Sequence, residues 1–170
     1  MRPFRCLICG ETYIGRTQPD RCPYCGVAGR FIADAAEYVD YDEMELSDDS
    51  QDYIREAIKV ERSNVAFYQC SAEHATTEVT RALFKRIAKH EAEHMELLCD
   101  HLGVDEPEIG TEDCSDDDTL NMKQAHNREQ RAVKMYMRFA AEAPEKRAKL
   151  IFSAIAGIEQ EHGKLFNTFR

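Results

Sequence analysis

The chain lacks tryptophan, long apolar stretches and an excess of positive charge. Its 170 residues carry 22 lysines and arginines against 32 aspartates and glutamates, so the formal net charge is −10. A nucleic-acid partner needs a basic surface for its phosphates, and anionic membranes need one too, so this charge argues against both. No apolar run approaches the roughly 20 residues of a membrane span, and the first residues lack the apolar core of a signal peptide. We therefore expect a cytoplasmic protein.

Disulfides are not expected, although the chain has seven cysteines. The count is odd, the chain is expected to be intracellular, and four of the cysteines follow a C-x2-C-x12-C-x2-C pattern typical of metal sites. These four are Cys6, Cys9, Cys22 and Cys25. Thiolates at this spacing hold one tetrahedral ion, and the spacing alone does not distinguish iron from a structural zinc.

The three other cysteines have no such spacing. Cys70 and Cys99 lie in predicted helices, where we expect small core residues. Cys114 lies in an acidic loop and is a candidate reactive thiol.

Three regions follow one another along the chain. Residues 1–35 are rich in cysteine, glycine and aromatics and predict a small metal-binding β module, whereas residues 36–50 are acidic and predict a linker. Residues 51–170 carry helical periodicity throughout. Helices are predicted at roughly 50–74, 79–102, 119–142 and 146–169. Two short-looped hairpins joined by a longer connection indicate a ferritin-like four-helix bundle, so the fold class is mainly α.

Two stretches of the helical region match each other at an offset of 68 residues without a gap. Each copy carries one Glu and, thirty residues later, a Glu-x-x-His, whose two side chains share one helix face. The matched pairs are Glu61 with Glu129, Glu91 with Glu159, and His94 with His162. Four carboxylates on the inward face of a bundle would be costly to bury unless cations compensate them.

This ligand set indicates a dinuclear metal centre. Four carboxylates and two imidazoles suit iron or manganese in a four-helix bundle, and Glu91 and Glu159, each beside its own histidine, are expected to bridge the two ions. The alternative is that these residues form surface salt bridges. That alternative would be favoured for a single Glu-x-x-His, but the duplication of the whole set favours metal.

Tyr68 and Tyr136 each lie seven residues after a candidate ligand on the same stripe. Their hydroxyls could bond a ligand or a bound oxygen species, and core filling is the alternative. The unmatched histidines are expected at the surface or at helix ends, and they are His74, His90, His101 and His126. His126 differs from the other three because it lies three residues before Glu129 on the same helix face.

Together these residues resemble a rubrerythrin. Cys6-Leu7-Ile8-Cys9-Gly10 with Cys22-Pro23-Tyr24-Cys25-Gly26 is similar to a rubredoxin-type iron centre, and the Glu and Glu-x-x-His set is similar to the diiron bundle. The resemblance covers nearly the whole chain. The order, with the rubredoxin-like or zinc-ribbon-like module first, resembles the reverse rubrerythrins.

The resemblance implies an oxidoreductase that reduces hydrogen peroxide to water in defence against oxidative stress. Electrons would come from a reductase, pass through the mononuclear tetrathiolate iron, and reach the dinuclear non-haem iron. It further implies a homodimer in which the cysteine site of one subunit lies near the dinuclear site of the other. Zinc in the cysteine site, and manganese or mixed metals in the bundle, are alternatives.

One position departs from the family pattern. Rubrerythrins carry a further Glu three residues after the ligand of the third helix, and this chain has Ala132 there. A register shift of three would instead make Glu129 the extra Glu and put His126 in the ligand position. The missing carboxylate motivates a second function, an oxygen-reducing ferroxidase or iron-handling protein. A third alternative is a non-catalytic, zinc-stabilised metal or peroxide sensor, which zinc in the cysteine site would favour.

Overall fold

The computed structural model describes residues 1–38 and 45–169, so residues 39–44 of the predicted acidic linker lie outside the described residues. The elements, in chain order, are β1 (Arg2–Cys6), β2 (Thr12–Gly15), a short 3-10 helix (Gly29–Phe31), β3 (Ile32–Asp34), α1 (Asp48–His74), α2 (Glu78–Leu102), α3 (Asp118–Glu142) and α4 (Lys146–Thr168). Four helices behind a small β module confirm the predicted fold class.

Capping residues set the first and last residues of the helices close to the predicted bounds. The Ser47 hydroxyl accepts a hydrogen bond from the backbone N–H of Ser50 at the start of α1, and Thr77 caps α2 in the same way. Gly103 ends α2 in the left-handed conformation, with φ of 68°, which glycine adopts without strain. Each helix therefore begins and ends within about one turn of its predicted bounds.

The helices pack as two hairpins. α1 packs along α2, and α3 along α4, while α1 also contacts α3 across the bundle. Residues 103–117 form the long connection between the hairpins. Tyr68, Phe84 and Phe166 stack on one another in the core with ring centroids 5.6 to 6.1 Å apart. Within the described residues, no helix is long and apolar enough to cross a membrane.

The N-terminal module is a three-stranded antiparallel sheet in the order β2-β1-β3. Two cysteine turns project from it, and each one closes at a glycine with positive φ, Gly10 at 77° and Gly26 at 80°. The Gly10 N–H donates to the Cys6 carbonyl at 3.0 Å, and the Gly26 N–H donates to the Cys22 carbonyl at 3.0 Å. A residue with a Cβ would be strained at these angles, so glycine makes both turns possible.

Arginines attach this module to its own bundle. On α4, Arg147 donates to the carbonyl of Leu7 at 2.6 Å, and on α2, Arg86 donates to the carbonyl of Pro23. Arg21 of the module lies 3.4 Å from Glu161 of α4. The second cysteine turn consequently rests on the face that α2 and α4 share.

One disulfide contradicts the expectation from the sequence. Cys70 of α1 is bonded to Cys114 of the long connection, so the predictions of a core-filling Cys70 and a reactive Cys114 thiol are wrong. Cys99 is 1% exposed and fills the core as predicted. The sequence carries no local sign of the disulfide, because the two cysteines are 44 residues apart and meet only where the connection passes beside α1.

Candidate metal centres

Four sulfurs of the module converge on one point. The Cys6 and Cys25 Sγ atoms are 3.9 Å apart, and those of Cys9 and Cys22 are 3.8 Å apart. A tetrahedral ion with metal–sulfur bonds of about 2.3 Å needs sulfurs roughly 3.8 Å apart. The four residues therefore fit a tetrathiolate ion.

The bundle brings together the six side chains that the internal repeat predicts. Each helix contributes to one buried cluster, with Glu61 on α1, Glu91 and His94 on α2, Glu129 on α3, and Glu159 and His162 on α4. The carboxylates are 0% exposed, and the more exposed of the two histidines, His162, is only 5% exposed.

The six residues form two overlapping groups of four. The first contains Glu61, Glu91, His94 and Glu159, and the second contains Glu91, Glu129, Glu159 and His162. Within each group the ligand atoms lie within 4.8 Å of one another. Only Glu91 and Glu159 belong to both groups, which is the position of carboxylates that bridge two ions.

Buried atoms without partners show that this cluster fits metal ions. Among the described residues, both oxygens of Glu91 and Glu159, one oxygen of Glu61 and of Glu129, and the Nδ1 atoms of both histidines have no hydrogen-bond partner. His94 Nδ1 does lie 3.2 Å from Glu159, and His162 Nδ1 lies 3.1 Å from Glu91, but the angles are unsuited to hydrogen bonds. Burying this many polar atoms without hydrogen-bond partners would be costly, and two cations would satisfy them together.

Hydrogen bonds on the far side of each imidazole leave Nδ1 available for metal. His94 Nε2 lies 2.9 Å from the backbone carbonyl of Cys25, so Nε2 carries the proton and donates it. His162 Nε2 lies 3.1 Å from Nδ1 of His90 and donates to it in the same way. Partners of this kind hold a metal-binding imidazole in the required tautomer.

His90 is a neighbour of the cluster that the sequence does not predict. It was predicted at the surface or a helix end, but its ring stacks on that of His162 with centroids 5.3 Å apart. Burial lowers the pKa of His90 to about 3, so the ring is neutral at pH 7 and can accept a hydrogen bond. Its position four residues before His94, one turn away on the same helix, was the available signal.

The two tyrosines bind ligand carboxylates across the bundle. The Tyr68 hydroxyl of α1 donates to Glu129 of α3, and the Tyr136 hydroxyl of α3 donates to Glu61 of α1. Both tyrosines are 0% exposed. Of the two roles proposed for them, the structure therefore shows contact with a ligand.

Charge repulsion and burial make the metal-free cluster hold protons. Burial, and then the charge of Glu91, raise the pKa of Glu61 well above its usual value, while burial and Glu159 do the same for Glu129. Burial opposes the charged form of His162, but the carboxylates of Glu159 and Glu91 raise its pKa to about 9. Metal ions must displace these protons when they bind.

The position of His126 decides between the two sequence registers. Its Nδ1 donates to the Gly163 carbonyl at 2.8 Å, and the residue belongs to neither ligand group in the described part of the chain. Glu129 is therefore the α3 carboxylate of the cluster, and Ala132, 1% exposed, takes the position of the extra family carboxylate.

Comparison with known proteins agrees with this architecture. Residues 52–169 match the rubrerythrin family, and residues 4–31 match the rubredoxin-like domain of rubrerythrin. Reverse rubrerythrin-1 of Clostridium acetobutylicum is 30% identical over 115 residues, which are 61% of this chain and 63% of that protein.

A solved structure also shares the fold. It is a two-domain protein from Anabaena variabilis with DJ-1/ThiJ/PfpI-like and ferritin-like domains, and it superimposes with a TM-score of 0.65 at 17% identity. The match covers 71% of this chain and 38% of that one, so it supports the helical fold alone. The family matches, in their order along the chain, confirm the prediction from the sequence: this protein belongs to the rubrerythrin family and carries its rubredoxin-like domain ahead of its rubrerythrin domain.

Proposed function

We propose that this protein reduces hydrogen peroxide to water with electrons that pass from the cysteine site to the carboxylate-histidine site. The observation that carries the proposal is the hydrogen bond from His94 Nε2 to the carbonyl of Cys25 at 2.9 Å. Cys25 is a candidate ligand of the first site, and His94 is one of the second. A single hydrogen bond therefore joins two residues that would each hold a metal.

The two sites have complementary roles in this reaction. Reduction of one peroxide molecule consumes two electrons and two protons, and releases two water molecules. Iron bound at the carboxylate-histidine site would supply two-electron chemistry, and iron bound at the cysteine site would supply one-electron transfer. Cys6, Cys9, Cys22 and Cys25 would hold the mononuclear iron. Glu61, Glu91, His94, Glu129, Glu159 and His162 would hold the dinuclear iron.

The protein surroundings favour controlled reduction. Because the six ligand side chains are buried, bulk water is excluded and the charges of the site interact strongly. Tyr68 and Tyr136 hold one oxygen of Glu129 and of Glu61, which keeps the other oxygen of each carboxylate directed to the metal.

The link between the sites lies within a single chain. His94 and Cys25 belong to the same polypeptide, so electron transfer needs no second subunit. A homodimer remains part of the proposal for the assembled protein. For the electron donor we propose a reductase that approaches the partly exposed Cys9, since the other three cysteines are buried.

Rapid mixing tests this function. Fully reduced, iron-loaded protein is mixed anaerobically with stoichiometric peroxide, and separately with oxygen, while the ferric tetrathiolate colour is recorded. We expect the colour to return fast with peroxide and slowly with oxygen. Equal rates, or a cysteine site that holds zinc and gives no colour in natively purified protein, would contradict the proposal.

Ferroxidase activity is a second candidate, and Ala132 is the observation that favours it. With alanine at this position, the two ligand groups have the same composition, three carboxylates and one histidine each. Iron(II) oxidation by oxygen, with uptake beyond about two ions per bundle, would support this function.

A further inference from the structure

Two equivalent stripes on α1 and α3 face each other beside the metal site. The first is Glu61, Asn64 and Tyr68, and the second is Glu129, Ala132 and Tyr136, with equal spacing in both. Each tyrosine donates to the glutamate of the other stripe. The stripes therefore run in opposite directions, and Asn64 lies across from Ala132 midway between the two carboxylates.

Asn64 is buried with part of its side chain unsatisfied. The residue is 2% exposed, and its Oδ1 accepts from Arg128 at 3.3 Å, which fixes the orientation of the amide. Its Nδ2 has no hydrogen-bond partner among the described residues. An amide donor left bare in the interior costs about 1–3 kcal/mol, so a ligand that accepts from it would be stabilised there.

A cleft opens on this amide from the protein surface. Its volume is about 490 Å³, and Asn64 and Ala132 are among its lining residues. Lys59, Arg128 and Arg131 also line it together with one acidic residue, Glu56, so the lining is net basic although the chain carries a net charge of −10. Arg128 is held in place by Glu112 at 2.9 Å and by the ring of Phe67 at 4.4 Å.

The opposite side of the cluster carries the docked module and a second cleft, of about 440 Å³, whose lining includes His90 and His162. Both histidines come from α2 and α4, and their outer nitrogens are bonded to Cys25 of the docked module and to His90. The cleft between α1 and α3 is lined by Asn64 and Ala132, each one helical turn from Glu61 or Glu129. Among the described residues, one oxygen of each of these carboxylates has no hydrogen-bond partner. A side chain longer than alanine at position 132 would occupy this space.

We propose that this cleft is the binding site for a small ligand of peroxide or azide size, neutral or singly charged, and that Asn64 Nδ2 donates a hydrogen bond to it. The small side chain of Ala132 leaves space for the ligand, Asn64 orients it, and the basic residues of the lining attract a ligand with negative charge. Asn64 is thus a positioning residue for whatever small molecule reaches the metal ions. For peroxide as the natural ligand, this inference rests on the proposed function.

Azide titration tests the cleft without any peroxide turnover. Azide is added to the oxidised, iron-loaded protein, and the charge-transfer absorbance reports its dissociation constant. We expect Asn64→Ala to weaken azide binding about tenfold, the equivalent of one hydrogen bond, with iron content unchanged. Ala132→Leu, which fills the cleft, should weaken it further. Leu83→Phe, in the separate cleft between module and bundle, is the matched control and should leave the affinity unchanged.

The outcomes separate the two proposals. Native azide affinity in Asn64→Ala overturns the role of Asn64, and loss of affinity in Leu83→Phe alone shows that ligands enter beside the module. If Ala132→Leu fails to fold or to load iron, the azide affinities of Asn64→Ala and Leu83→Phe still show whether the cleft beside Asn64 binds the ligand. Weaker azide binding in Asn64→Ala, combined with equal rates for peroxide and oxygen, would support the cleft and contradict the proposed function.

Discussion

The two halves of the bundle carry the same ligands but different neighbours. α1 with α2 and α3 with α4 each supply a Glu and a Glu-x-x-His. Beside these ligands the halves diverge: position 90 is histidine and its equivalent, 158, is isoleucine, while position 64 is asparagine and its equivalent, 132, is alanine. His94 bonds to the carbonyl of a cysteine ligand, whereas His162 bonds to another histidine.

The repeat therefore keeps the six candidate metal ligands the same and varies some of the residues around them. The duplicated residues are those that the two ions require in common. Among the residues that differ, His90 contacts His162, and Asn64 and Ala132 line the cleft between α1 and α3. We propose that this asymmetry gives the centre an electron entry beside the module and a ligand entry between α1 and α3.

The largest expected effect is on metal content, and it differs between a candidate ligand of both groups and a candidate ligand of one group. Glu91 belongs to both ligand groups, and Glu61 belongs to one. We expect Glu91→Ala to abolish metal binding in the bundle, and Glu61→Ala to reduce it from about two ions to about one. Metal analysis of purified protein measures this, with the tetrathiolate colour as the internal control. Equal losses in both variants would show that Glu91 does not bridge.

The disulfide exists in the first half only, because the position equivalent to Cys70 is Arg138. Closing a loop with a sequence separation of 44 residues stabilises the fold by about 4 kcal/mol through loss of unfolded-chain entropy. Cys114→Ser should therefore lower Tm by roughly 10 °C in calorimetry. Reductant should reproduce this loss in the native protein and add nothing in the variant. An equal effect of reductant on both proteins would contradict this account.

His90 supports only the histidine of the second half. Replacing it with phenylalanine removes the acceptor of the His162 proton, and loss of such a partner weakens metal affinity about 10- to 100-fold. We expect one of the two ions to bind more weakly in a competition titration. His90→Gln, which retains an acceptor, should recover most of the affinity. Equal weakening of both ions would mean that His90 acts on the whole cluster.

The smallest effect concerns pH. Glu61, Glu129 and His162 have raised pKa values in the metal-free fold, that of His162 being about 9. The folded state then holds protons that the unfolded state has released, so stability falls as pH rises between about 5 and 9. The pKa of Glu159 is lowered, so its protonation changes the stability only at pH values below this range.

We expect the Tm of metal-free protein to drop by roughly 5 °C from pH 5.5 to 8.5. Metal affinity should change in the opposite direction, because binding releases those protons. A metal-free Tm that rises over this range would contradict the assigned protonation.

Local patterns predicted the helices and the ligand set, and long-range packing decided the rest. The periodicity of α1 to α4 and each Glu-x-x-His are visible within single helices, and the repeat that pairs the ligands is visible in the sequence at a fixed offset. The Cys25 contact of His94 depends on how the module docks. The disulfide depends on the path of residues 103–117, which no local pattern specifies.

The central claim is that the cysteine site and the carboxylate-histidine site of one chain work as a pair. Co-expression of two inactive chains tests it directly: Glu91→Ala keeps the cysteine site but loses the bundle metal, and Cys22→Ser does the reverse. Reduced mixed protein is then combined with peroxide, and the return of the tetrathiolate colour is timed. The account predicts that colour returns as slowly as in Glu91→Ala alone. Fast return in the mixture would show that electrons cross between subunits and would contradict the pairing within one chain.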